Sequence, residues 1–158
     1  VIKGAKLLRE RIKALGLMVF IKTSGGKGLH LVIPIQRRNT WDEAKQFTKT
    51  IASEMAKNHR DLFTATMTKS KRSGKIFIDF HRNSRGATSI APFSTRTKPG
   101  APVSTPIRWD ELSPKLTPSR YTISNLPNRL SALNKDPWQD FFNVRQSITR
   151  KMQKELGL

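Results

Sequence analysis

Cysteine is absent from the 158 residues, which excludes a disulfide scaffold, a cysteine-ligated zinc site and a thiol nucleophile. Long apolar runs are missing too. The longest, Leu15 to Ile21, is far short of the roughly 20 residues that a helical bilayer span needs, and no signal-peptide pattern opens the chain. The expectation is a cytoplasmic protein with no membrane partner. Acids are scarce: 11 Asp and Glu stand against 30 Lys and Arg, a formal net charge of +19. With a pI near 11.2, a polyanion is the expected partner, nucleic acid ahead of a membrane surface. Hydrophobic residues make up 36%, a little low for a globular domain. They are clustered and periodic, however, which argues against a disordered basic tail.

What is present reads as an α+β chain with a mixed or antiparallel sheet flanked by helices. Ile2, Ala5, Leu8, Ile12 and Leu15 recur at spacings of three and four, with Lys3, Lys6, Arg9, Glu10 and Lys13 on the other face, so Val1 to Leu15 is a helix that Gly16 ends. No N-cap residue precedes it. The expectation is one partial domain, 1–158, whose upstream part is missing. Leu17 to Lys22 and Leu29 to Ile33 read as strands, joined through the glycine-rich Thr23-Ser24-Gly25-Gly26-Lys27-Gly28 as a hairpin with a long loop. Thr40-Trp41-Asp42-Glu43 fits a capping box for a helix from about Trp41 to Lys57, with Trp41, Ala44, Phe47, Ile51 and Met55 on its apolar stripe. Thr64 to Gly74 is a basic loop or a frayed helical turn. Lys75 to Phe80 reads as a third strand and Ala87 to Ala91 as a fourth. Pro92, Pro99, Pro102 and Pro106 then hold extended backbone. Helices are expected over Pro127 to Leu133 and from Pro137 to about Leu156, and Trp41, Trp109, Trp138, Phe141 and Phe142 as core.

Asp79 is the most telling acid. From Leu62 to Trp109 it is the single carboxylate among nine Lys and Arg. Between Ile78 and Phe80 in a strand, it would be costly to desolvate alone. It is either an ion-pair partner of Arg82 or Arg85, or a ligand for a divalent metal that bridges phosphates. One carboxylate cannot hold such a metal, so the other ligands must come from elsewhere. Ser24 to Gly28 can cradle phosphate, because glycines let backbone N–H groups converge while Ser24 adds a hydroxyl and Lys27 a charge. The spacing is not that of a Walker A loop; a bare turn between strands is the competing reading. His30 alternates with Val32 and is either structural or a donor to a neighbour. Arg82, Arg85 and Arg96 are either solvated charges or ligand contacts around the small-residue stretch that they flank.

Two stretches, Lys22-Thr23-Ser24-Gly25-Gly26-Lys27-Gly28-Leu29-His30 and Ile76-Phe77-Ile78-Asp79-Phe80-His81-Arg82-Asn83, make the chain similar to a known family. It resembles the polymerase/primase domain of bacterial ligase D, in the archaeo-eukaryotic primase superfamily. Arg85-Gly86-Ala87-Thr88, Ala91-Pro92-Phe93-Ser94, Pro99 to Pro106, Trp109-Asp110-Glu111-Leu112 and Asp136-Pro137-Trp138 continue the likeness in order. The resemblance implies an RRM-like catalytic core and a nucleotidyl transferase that fills gaps at DNA ends during non-homologous end joining. It implies (deoxy)ribonucleoside triphosphates and primer-template DNA as substrates, and a fused or associated ligase domain and a Ku-like end-binding protein as partners. Three acids in the family hold two divalent metals, Mn²⁺ or Mg²⁺. Asp79 matches the third of these. Ser24 and His30 match the phosphate contacts of the second motif, with Lys27 between them. Arg82 and Arg96 stand at further nucleotide contacts, and Lys71 and Arg72 in the basic loop near the primer. The family's Asp-x-Asp pair has no counterpart in these 158 residues. The alternative is a non-catalytic, basic nucleic-acid-binding module.

Overall fold

The apolar repeat at the start of the chain folds as helix α1 (Ile2–Ala14) in the computed structural model, which describes residues 1–158. Gly16, at φ 84°, closes it. The Gly16 N–H donates to Lys13 O and the Leu17 N–H to Ile12 O, the paired bonds of a Schellman end. The chain divides into two compact units, residues 1–34 with 90–144 and residues 35–89 with 145–158.

In the first unit, β1 (Phe20–Thr23) pairs antiparallel with β2 (Leu29–Val32) on one edge and with β5 (Pro106–Ile107) on the other. Strand alternation gives this small sheet two unlike faces. Ile21, opposite Leu31 and Ile107, lies on the apolar face and joins Ala5 of α1 and Leu112 in a core bordered by Ile2, Leu29, Trp109, Leu116 and Tyr121. The other face carries Lys22 opposite His30, and Phe20 opposite Val32. Phe20 packs edge-on against Trp138 and Phe141, whose rings stack with centroids 4.8 Å apart. Helix α3 (Leu126–Ala132) completes the unit.

The second unit is built on α2 (Trp41–Asn58), which buries Phe47, Ile51, Ala52 and Met55. Its capping box forms as the sequence indicates: the Glu43 N–H donates to Thr40 Oγ1 at 3.2 Å, and the Thr40 N–H to Glu43 Oε2 at 2.7 Å. A two-residue strand, β3 (Phe63–Thr64), runs parallel to β4 (Ile76–Phe77). A basic 3₁₀ turn, Lys69–Arg72, lies between them in sequence. Asn39 clamps the returning chain, donating to Ile148 O and accepting from the Ile148 N–H, ahead of α4 (Arg150–Glu155).

Four expectations are corrected. The strand over 75–80 is only two residues long, because the Asp79 carboxylate accepts from the His81 N–H at 3.0 Å. That local bond turns the backbone away from a ladder. Residues 87–91 form no strand and are largely exposed; their small side chains offer little to pack. The helix expected from Pro137 shrinks to α4, since Trp138 and Phe141 are held by Phe20 and the Trp138 N–H is taken by Asp136 Oδ1. Trp41 and Phe142, expected in the core, are 58% and 84% exposed.

Candidate functional site

The glycine loop between β1 and β2 is held in shape from three sides. Ser24 is buried, and its hydroxyl oxygen accepts from the Gly26 N–H at 3.1 Å and the Gly28 N–H at 3.3 Å. The Gly25 N–H donates to Pro118 O. Arg96 Nε donates to Ser24 O at 2.8 Å, so the arginine is tied to the backbone at the loop's base. Lys27 is exposed at the tip. Lys98 stands close as well, since a Cβ on Gly26 would lie 3.8 Å from Lys98 Nζ. The Gly26 and Gly28 N–H groups are taken by Ser24 Oγ, so what the turn presents to an anion is charge: exposed Lys27, with Arg96 and Lys98 beside it, a set that suits phosphate oxygens. Because the Ser24 oxygen already accepts twice, its offer to an anion is its single O–H.

Gly25 is required here. Its φ is +64°, and an added Cβ would sit 3.1 Å from Pro102 O and 3.3 Å from Arg96 Cγ. Gly25→Ala should lower the unfolding free energy by about 1–2 kcal/mol for the left-handed backbone alone and displace Arg96. Gly28→Ala, with no atom within 4 Å of the new Cβ, should stay within about 0.5 kcal/mol. Urea denaturation of the two variants checks the contrast.

His30 is half-buried and stands in register with Lys22 on the sheet face opposite the α1 core. Lys22 is a residue that motif matching did not single out. It is 3% exposed, and its ammonium donates to Ile90 O and to Ser104 Oγ, each at 2.7 Å. Burial, with the charge of Arg96 adding to it, lowers its pKa to about 8. What the sequence shows of it is only its place two residues before Ser24, near the end of the strand that enters the loop.

The other predicted residues fall in the second unit. Asp79, 39% exposed at its side chain, pairs with Arg82 at 3.5 Å, the ion-pair reading of the sequence. Arg82 Nη1 also donates to Thr88 O at 3.4 Å. Arg72 is fixed more firmly: its guanidinium donates to Thr66 O and Met67 O and lies 3.8 Å over the Phe77 ring. On the chain's other side of Asp79, the His81 ring stacks on Phe80 with centroids 4.1 Å apart. Lys71 is exposed on the 3₁₀ turn. Ser24, Lys27, His30 and Arg96 thus share one unit, and Lys71, Arg72, Asp79 and Arg82 the other.

Comparison with known proteins decides between general phosphate chemistry and a particular lineage. Residues 1–138 match the family described as LigD, primase-polymerase domain. The chain belongs to that family. Over 157 residues it is 40% identical to the multifunctional non-homologous end joining protein LigD of Pseudomonas aeruginosa, covering 99% of this chain and 19% of that protein. Over 146 residues it is 31% identical to the bifunctional non-homologous end joining protein LigD of Bacillus subtilis, covering 92% of this chain and 24% of the other. The polymerase domain of Mycobacterium tuberculosis ligase D, solved in complex with DNA, superposes with a TM-score of 0.81 at 33% identity, covering 87% of this chain and 47% of that one. The LigD primase-polymerase chain described here therefore spans about a fifth to a quarter of those relatives' length.

The family implies divalent metals, and the donor set can be tested against them. No group of three His, Asp or Glu side chains lies close enough together to hold a metal ion, and Asp79 faces the Arg82 guanidinium. The residues of this LigD-family chain do not by themselves fit such a centre.

Proposed function

We propose that this chain is the part of a template-dependent nucleotidyl transferase that binds the incoming nucleotide, acting at DNA ends in non-homologous end joining. The observation that carries the reading is the Ser24–Gly28 loop locked by Arg96, in a chain that matches the LigD primase-polymerase family over residues 1–138. A triphosphate seated there meets the Ser24 O–H and the charges of Lys27 and Arg96, with His30 on the adjoining strand. A primer 3′-hydroxyl then attacks the α-phosphorus in line, its proton passing to solvent water. The new P–O bond forms as the bond to the β-phosphate oxygen breaks, and pyrophosphate leaves with the bonding electrons. Cations placed where that charge develops favour the transition state over the bound substrate.

Arg82 is assigned a further nucleotide contact, and Lys71 and the stacked Arg72 a place against the primer or template backbone. Asp79 is assigned as one carboxylate toward Mn²⁺ or Mg²⁺, with the remaining ligands supplied from outside these 158 residues. A fused or associated ligase domain and a Ku-like end-binding protein are the partners that such a role calls for. Its place is the cytoplasm, where the bacterial chromosome lies; no helix is long and apolar enough to cross a membrane.

One observation favours a second reading, a basic nucleic-acid-binding module without catalysis: these residues contain no Asp-x-Asp pair and no cluster of three metal-binding side chains. Two measurements separate the readings. Fluorescence anisotropy on a gapped duplex should give binding that weakens with salt, the log–log slope being about −0.9 per phosphate contacted. Gap filling with Mn²⁺ and nucleotides, by the chain joined to a preceding segment that carries Asp-x-Asp, should extend the primer. Salt-dependent DNA binding with no extension and no affinity for nucleoside triphosphate would leave only the second reading standing.

A further inference from the structure

We propose that Lys22 is a buried positioning residue and counter-charge for the phosphates taken by the Ser24–Gly28 loop. The inference rests on the reading of that loop as a phosphate cradle and adds a residue to it. Three observations place Lys22 there. It lies on β1 two residues before Ser24, near the point where the strand enters the loop, and stands in register with His30 across the hairpin. Its ammonium is wedged between Ile90 O and Ser104 Oγ, and Ser104 Oγ in turn donates to Thr23 O at 2.9 Å, the carbonyl that leads into the loop. Arg96, which grips Ser24 O, is the charge that acts on Lys22.

A buried ammonium with two neutral acceptors and a neighbouring guanidinium lacks an anion to balance it, and the cost of such a charge is met only by pairing. A purely structural tie between β1 and the 90–104 segment could be made by a neutral donor at lower cost. A lysine there acquires its balancing charge when a polyphosphate occupies the loop. The titratable and charged groups around it are His30 from β2 and Arg96 from the segment after Ile90. The stretch leading into β5 contributes Ser104 and Pro106, which do not titrate.

The consequence is a coupling between binding and protonation. With its pKa lowered to about 8 by burial and by Arg96, Lys22 is partly neutral in the unliganded chain at pH 8 and above. A bound polyanion favours the charged form and raises that pKa. Between the two values binding therefore takes up a proton, and affinity falls as pH rises.

Isothermal titration of the full 158-residue chain tests this, with ATP and with inorganic tripolyphosphate, in EDTA, using two buffers of different ionisation enthalpy. Wild-type protein should take up a fraction of a proton per ligand at pH 8.5, and affinity should fall about tenfold between pH 8 and pH 9.5. Lys22→Met should abolish the uptake and weaken binding about 5- to 50-fold at pH 7.5. Lys22→Arg, whose guanidinium does not deprotonate, should bind at pH 9.5 without uptake. Wild-type binding that is flat with pH and free of proton uptake overturns the Lys22 proposal and leaves the loop reading intact. So does undiminished uptake in Lys22→Met. A wild-type chain that binds neither ligand at pH 7.5 overturns the loop reading, and the proposal with it. The wild-type measurement needs no variant to fold.

Discussion

Glu111→Ala should lower the unfolding free energy by about 1.5–3 kcal/mol, the range for hydrogen bonds to a charged group in a partly buried ion pair. Both Arg129 Nη atoms donate to the Glu111 carboxylate, and the side chains of the pair are only 12% and 18% exposed. Arg129 also donates to Tyr121 Oη at 2.9 Å and Pro106 O at 3.2 Å, and its guanidinium carbon lies 4.5 Å from the centre of the Tyr121 ring. Glu111 is bound from the other side by the Arg108 N–H at 2.6 Å. Without the carboxylate the guanidinium keeps its charge, and its buried Nε already lacks a partner. Glu111→Ala combined with Arg129→Met should recover most of the loss, since the stranded charge and not the missing pair is the larger cost. Asp110→Ala is the control. Its bond to Arg108 joins side chains 49% and 70% exposed, and such pairs contribute about 0–1 kcal/mol. Urea titration of the four proteins reads the differences directly.

The largest functional effect is expected at Asp79. In the chain joined to an Asp-x-Asp segment, Asp79→Ala should reduce primer extension at least about 10–100-fold, since losing a metal-ligating carboxylate costs no less than losing the outer partners of such ligands. Two further expectations make this specific. The Asp79–Arg82 pair is exposed, so stability should change by less than about 1 kcal/mol. Removing a negative charge from a basic surface should not weaken DNA affinity. Asp79→Asn, which keeps the shape and can still accept from the His81 N–H, should lose as much extension as alanine does. Extension near wild-type levels in either variant would take Asp79 out of the chemistry and return it to an ion-pair role.

How much of this was legible depends on whether the signal was local. The Thr40–Glu43 capping box and the periodicity behind it specify α2, because every bond involved lies within four residues. The α1 repeat with Gly16 behaves likewise, as does the β1–β2 hairpin, whose alternation also put His30 and Val32 on one face. The β5 strand was not visible. Pro106 and Ile107 pair with β1 from more than 80 residues away, and prolines in the segment read only as extended backbone. Trp138 and Phe141 misled for the same reason, since the helical stripe they mimic is overridden by a tertiary partner, Phe20. At Asp79 charge isolation marks the acid, but the strand pattern around it does not specify the backbone, because the carboxylate satisfies its own chain locally. Lys22 carries no such local signal, because a lysine in a strand reads as solvent-facing until the acceptors that bury it, Ile90 O and Ser104 Oγ, arrive from far along the chain.

The interleaved make-up of the two units bears on how the molecule is assembled. The first needs residues 1–34 and 90–144, the second 35–89 and 145–158, so no single cut in the sequence releases either one whole. During synthesis β1 and its glycine loop emerge before Arg96, Ser104 and Thr105, which lock them and follow some 72 to 82 residues later. Closing so long a loop is entropically slow, and folding rates fall as contacts become more distant in sequence. A nascent peptide that ends before Thr105 holds β1 by one edge only. The side of this sheet that carries the glycine loop therefore takes its final form only once the chain has been made through Thr105.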